Sequence, residues 1–166
     1  MKKTISFALA LVMALSLVAC AGGAGGVKTY KVGVAIYQYN DNFMTLYRQE
    51  IENYFKTKET DTVKYEITMV DGKNDMAEQS NQIDAFIADN VDVMIINLVQ
   101  SSSAAAVIQK ADAAGIPVVF INREPSAEDM ALNGNFCYVG ADARQSGTMQ
   151  GNIVLAAENK GDFNGN

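Results

Sequence analysis

The 166-residue sequence has no histidine and no tryptophan, and only two cysteines, Cys20 and Cys137. Without histidine there is no His-Cys cluster of the kind that holds zinc, which argues against a zinc enzyme. If Cys20 is consumed in processing, one thiol remains, and a disulfide framework is excluded. Basic residues are sparse: 13 Lys and Arg stand against 19 Asp and Glu, for a net charge of −6. No basic run follows the first three positions, so a nucleic-acid backbone finds nothing to grip. Parts for covalent chemistry are also short. No Gly-rich dinucleotide or phosphate loop follows an apolar run, and Val32-Gly33-Val34 reads simply as strand. Asp71 and Asp75 bracket a turn with no His or Cys near them to complete a hydrolytic set. Glu124 is an acid or base without a clear partner. The chain is expected not to be an enzyme.

What is present is apolar: 49% of the residues are hydrophobic, enough for one domain with a core. The first part of that content looks like an export signal. Met1-Lys2-Lys3 is charged, Ile5 to Val18 is almost unbroken apolar, and Leu17-Val18-Ala19-Cys20 closes the run. A membrane-spanning helix is the alternative, but the run falls short of the roughly 20 residues a bilayer needs. Leu-Val-Ala-Cys resembles the bacterial lipobox, in which the chain is cut before the cysteine and the thiol is acylated; an ordinary signal peptide is the other choice. Residues 1–19 are read as the leader and Cys20 as the lipidation site. More than one acyl chain would then hold the protein to the outer face of a cell membrane. Residues 20–29 follow as a flexible linker around AGGAGGV.

From Tyr30 the chain alternates. Val32–Ile36 suits a buried parallel strand. Asn42–Lys58 carries Phe43, Leu46, Tyr47, Ile51, Tyr54 and Phe55 at helical spacing, with Asp41 or Asn42 as cap. Lys64–Val70 puts Tyr65, Ile67 and Met69 on one face of an outer strand. Asp75–Ala88 is a second helix with Met76, Ile83, Phe86 and Ile87 as its stripe. Val91–Leu98 is a third strand, and Ser101–Ser103 are placed to cap a helix running to Ala113. Gly115-Ile116-Pro117 ends that helix. Val118–Ile121 is the fourth strand, with Asn122 just past it; Pro125 and Ser126 open a looser polar link. Phe136–Val139 is the fifth strand, in which Cys137 is expected to be a buried, inert thiol. Asp142–Glu158 reads as a last helix with Met149, Ile153, Val154 and Ala157 as apolar positions. Repeats of this size predict βαβ units: an α/β fold with a parallel sheet and helices on both faces. Right-handed crossovers put every strand's carboxyl end on one edge, where open sheets bind ligands.

That edge collects Tyr37–Phe43, Asn97–Ser101 and Asn122–Glu124. A carboxylate accepts protons from two hydroxyls, an amide gives and accepts at once, and an aromatic ring lies against the apolar face of a pyranose. Asp41, Asn122 and Phe43 supply one of each. Each also has a plain alternative: Asp41 as helix cap, Phe43 as core, Asn122 as a turn residue.

Five stretches resemble the galactose/glucose-binding receptors of bacterial sugar uptake, within the periplasmic-binding-protein-like receptors of ABC transporters. They are VGVAIYQYNDNFM from Val32, NDMAEQSNQID from Asn74, INLV from Ile96, VVFINREP from Val118 and YVGADARQSGTMQG from Tyr138. The resemblance implies a Rossmann-like lobe of a type I binding protein, three layers in αβα order, spanning residues 30–140. Gly140-Ala141 would then be a hinge crossing, and residues 141–166 the start of a second lobe that the sequence does not complete. It implies that Asp41 bonds sugar hydroxyls, Phe43 stacks on the ring and Asn122 completes the contacts, with Tyr37 close by. Members of the family often carry Asp at position 40 and Lys at positions 38 and 123, where this chain has Asn40, Gln38 and Arg123, so the exact sugar is left open. Asp162, Asn164 and Asn166 match the first ligands of the family's calcium loop, which begins D-x-[DN]-x-[DN]-G; a plain polar turn is the alternative. The implied cofactor is structural calcium in a longer chain. The implied partners are a small sugar, a membrane permease and a chemoreceptor, for a monomeric protein. Rival readings are a receptor for ribose, xylose or a signalling furanose, a regulator's sensor domain, and a secreted enzyme.

Overall fold

A segment that is apolar on both faces satisfies its backbone groups only through neighbouring strands, and the runs in this chain do so. A computed structural model of the chain describes residues 26–132 and 134–162. The leader, Cys20, Asn164 and Asn166 lie outside the described residues. Five strands form one sheet: β1 (Lys28–Ile36), β2 (Val63–Asp71), β3 (Val93–Ile96), β4 (Val118–Ile121) and β5 (Phe136–Val139). The order is β2-β1-β3-β4-β5, and every pairing is parallel. Val32 sits between Ile67 and Val93 in register. The strand order reverses at β1, so the loops after β1 and β3 diverge there and leave a crevice at the carboxyl edge.

The helices are α1 (Asn42–Lys58), α2 (Met76–Ala88), α3 (Ala104–Ala114), a single turn α4 (Ala127–Met130) and α5 (Ala143–Ala156). Under α1, Val32, Val34, Ile36 and Met44 form one core. On the other face α2 and α3 cover Ala35, Met94, Ile96 and Phe120, with Ile83, Phe86, Val107 and Ile108. This is the expected three-layer αβα lobe. The helix ends follow their capping chemistry. Asp75 accepts from the N–H groups of Ala77 and Glu78, and Gly115 closes α3 at φ 69°.

Several local expectations need correction. Phe43, Leu46 and Tyr54 are exposed rather than core, and Met44 is the α1 residue that is fully buried. Tyr47, Ile51 and Phe55 face the sheet as expected, and Met44 takes the place at the start of the stripe that Phe43 was given. Met76, Met149, Ile153 and Val154 are also exposed. Ser101–Ser103 form a turn of 3-10 helix, and Ser103 donates back to the Gln100 carbonyl instead of capping α3. The link after Pro125 is not loose: Ser126 and Asp129 form a reciprocal capping box around α4. Cys137 is exposed. β5 is an edge strand, its residues alternate between half-buried and exposed, and Cys137 falls on the open side.

One glycine is dictated by packing. A Cβ on Gly33 would lie 2.7 Å from the Phe86 ring, so only a bare backbone lets α2 settle on the sheet. Gly33→Ala is expected to destabilise the fold by about 1–3 kcal/mol through overpacking. Adding Phe86→Leu should recover part of that loss. Denaturant titration of the two variants checks this; an unchanged midpoint for Gly33→Ala would refute the packing argument.

Candidate functional site

The loop after β1 is built around Asp41. The Tyr37 hydroxyl donates to its Oδ2 at 2.5 Å, and the Met44 N–H donates to Oδ1 at 2.8 Å as the α1 cap. The cap reading and the ligand reading are therefore compatible, because each carboxylate oxygen keeps a second acceptor position. The Tyr37 bond is the main cause that holds the Asp41 carboxyl below its ordinary 3.8; the Met44 N–H and the positive charge of Arg123 add to it. The same bond pushes the Tyr37 phenol above its ordinary 10.0.

Asn122 directly follows β4, at φ 62°. Asn tolerates this left-handed conformation better than most residues. β5 holds it there: the Asn122 N–H donates to the Val139 carbonyl at 3.3 Å, and the Tyr138 hydroxyl donates to the Asn122 carbonyl at 3.0 Å. The turn reading is thus correct for its backbone, and the side chain is exposed at the rim. Phe43 and Asn122 line one cleft of about 470 Å³ with Tyr47, Val139, Gly140 and Ser146. Phe43 stacks on Tyr47, 5.8 Å between ring centroids and 26° between planes. Asp41 and Tyr37 do not line that cleft. They join it through the next residue along, Arg123, whose guanidinium lies 4.1 Å from the Tyr37 ring centroid.

Three residues to which sequence reasoning gave no role organise this rim. Arg123 donates to the carbonyls of Leu98, at 3.2 Å, and of Val99. Gln79 is buried inside α2; it donates to the Asn97 carbonyl and accepts from the Val99 N–H, both at 2.9 Å. Asn97 is itself fully buried. The available signal was Gln79, a polar residue one turn before Ile83 on the buried stripe.

Asp162 closes the turn after α5, its N–H donating to the Asn159 carbonyl at 2.9 Å. Among the described residues no three acidic, cysteine or histidine side chains converge.

Residues 32–165 match the model of the periplasmic binding protein domain. The chain belongs to that family. It is 35% identical over 151 residues to the D-galactose/methyl-galactoside binding periplasmic protein MglB of Haemophilus influenzae, covering 91% of this chain and 42% of that one. A putative rhizopine-binding protein of Rhizobium meliloti is 37% identical over 119 residues, 72% of this chain and 37% of the relative. Among solved structures, an ABC transporter solute-binding protein from Bacillus halodurans with bound myo-inositol superposes with a TM-score of 0.61 at 31% identity, over 80% of this chain and 42% of that one. The chain thus spans less than half the length of these relatives. A periplasmic binding domain is a non-catalytic solute-binding fold, which sets the enzyme reading aside.

The Tyr37–Asp41 pair sets a pH window. Asp41's carboxyl is lowered, so the stability it contributes is fully present above the ordinary carboxylate pKa and is lost as pH falls through the lowered folded value. Tyr37's phenol is raised, so its contribution is lost only as pH rises through that higher value. The stability difference between wild type and Tyr37→Phe should therefore shrink toward zero on acidification. Denaturant titrations between about pH 2 and 7 read this out; a difference that does not change with pH refutes the pairing.

Proposed function

We propose that this chain is the ligand-gripping first lobe of an exported receptor that delivers a small sugar to an ABC permease. The observation that supports the reading is the cleft lined by Phe43, Tyr47 and Asn122; beside Asn122, Arg123 lies over the ring of Tyr37, whose hydroxyl holds Asp41. Asp41 would accept hydrogen bonds from adjacent hydroxyls, the Asn122 amide would give and take one each, and the Phe43 ring would cover an apolar ring face. A second lobe closing over the same ligand would favour the closed state by bonding to it as well. Gly140-Ala141 is our proposed first crossing to that lobe, and residues 162–166 the start of its calcium loop. Cys20 is the proposed lipid anchor; Cys20→Ala should release the protein from membranes in a fractionation experiment.

The similarity to relatives named for galactose, rhizopine and myo-inositol supports a polyhydroxylated ring as ligand class more than any one sugar. Galactose or glucose is the narrower proposal, supported by the 35% identity to the galactoside-binding relative. Ribose or another furanose is the competing one.

The test uses substitutions that keep the local backbone. Asp41→Asn preserves the α1 cap while removing the charge, and Asn122→Gly removes the amide while keeping a residue that adopts φ 62°. Each should weaken binding by about 10- to 100-fold, the range for a hydrogen bond to a charged or buried polar group. Calorimetric titration of D-galactose, D-glucose, D-ribose and myo-inositol reads it. Wild-type affinity in both variants would overturn the site.

A further inference from the structure

We propose that Arg123 is a positioning residue of the ligand rim: its guanidinium locks the loops after β1, β3 and β4 into one surface and keeps the Asp41 carboxylate presented to a hydroxylated ligand. The proposal rests on the sugar-binding reading above, and it deepens that reading by separating the residue that holds the site from those that touch ligand.

The geometry is specific. Nη1 of Arg123 donates to the Leu98 carbonyl at 3.2 Å and to the Val99 carbonyl, both on the loop after β3. Its plane lies over the Tyr37 ring at 4.1 Å, and Tyr37 in turn holds Asp41 at 2.5 Å. Val99 is therefore gripped from two sides. Gln79 takes its N–H from the α2 side, and Arg123 takes its carbonyl from the β4 side. Val99 is itself almost wholly buried, so its carbonyl has no solvent to turn to if Arg123 is removed.

Among the described residues, Asp41 is held down first by the Tyr37 phenol from the end of β1, then by the Met44 and Phe43 N–H groups from α1, and least by the positive charge of Arg123 from the loop after β4. Arg123 thus acts in two separable ways, as a positive charge and as a planar group that stacks on the Tyr37 ring while its Nη1 reaches two carbonyls. A lysine supplies the charge and a donor but has no flat face to stack.

That separation gives the experiment. Wild type, Arg123→Lys and Arg123→Met are compared by two measurements on the mature protein. One is a carboxyl-carbon NMR titration of Asp41 without ligand. The other is calorimetry with D-galactose, D-ribose and myo-inositol, each titrated separately across the acidic range. Arg123→Met should raise the Asp41 midpoint and weaken the sugar that wild type binds by at least about tenfold. Arg123→Lys should return the midpoint to near the wild-type value while leaving binding about tenfold weak. Unchanged midpoint and affinity in Arg123→Met overturn the proposal, as does full affinity in Arg123→Lys, which would leave only a charge effect. If a receptor carrying both lobes binds none of the three probes, the sugar reading fails, and amide exchange in the loop after β3 decides the role of Arg123: faster in Arg123→Met, it stands; unchanged, it falls. If Arg123→Met does not fold, the lysine variant carries the affinity comparison by itself.

Discussion

Gln79 solves a problem that the sheet creates at its own edge. β3 ends at Ile96, but the chain does not reach water there: Asn97, Leu98 and Val99 are all buried. The Asn97 N–H still donates to the Ala35 carbonyl of β1, but the Asn97 carbonyl and the Val99 N–H lie past the end of β3 and gain no solvent. Gln79 supplies a donor and an acceptor from one uncharged side chain, to the Asn97 carbonyl and the Val99 N–H. A leucine would fill the space and leave two groups unpaired, at about 1–3 kcal/mol each. A glutamate would bring a charge into the core and no donor at neutral pH. The amide is what lets the loop after β3 pass under the rim at a fixed height, and that height is where Arg123 finds its two carbonyls.

Asp41 shows how a capping residue can also serve a site. Its two oxygens are each engaged once by the protein, by Tyr37 and by Met44. An ionised carboxylate offers about four acceptor positions, so roughly two remain, spaced as the oxygens are. Two neighbouring hydroxyls on a ring match that spacing. The bonds already made fix the carboxylate plane before any ligand arrives, so little ordering is left to be done on binding. Asn122 is prepared in a different way. Its strained backbone is held by the Val139 carbonyl and the Tyr138 hydroxyl, and β5 thereby sets where the amide starts from.

The order of elements was legible because hydrophobic period and capping chemistry agreed. β4 at Val118–Ile121, β5 at Phe136–Val139 and α1 at Asn42–Lys58 fall where the pattern puts them. The candidate residues Asp41, Asn122, Phe43 and Tyr37 were legible as chemistry standing at strand ends, and parallel topology gathers their loops on one edge. What was not legible depends on partners distant in sequence. Whether Phe43 or Met44 turns inward is a matter of a fraction of a helical turn, and both are apolar. Cys137 reads as core by composition, but its exposure depends on β5 being at the edge, which no local pattern encodes. Gln79 and Arg123 act across 18 to 25 residues of sequence on backbone atoms, and backbone atoms carry no sequence signature.

On the proposed reading, the same magnitudes explain why such a rim would be half of a binding device. A hydrogen bond to a ligand that remains wet on its far side exchanges with water and nets only about 0.5–1.5 kcal/mol. Asp41 and Asn122 together offer about four such bonds, and Phe43, itself 61% exposed, adds a ring face that is still open to solvent. Against them stands an association cost of about 4–15 kcal/mol in lost freedom. For one lobe the bonds fall short of that cost. The balance turns favourable when a second surface covers the ligand, because burial removes the competing water and raises the value of every bond already in place. On that reading the preorganised groups on this lobe would decide which ligand is accepted, and closure would decide how tightly it is held.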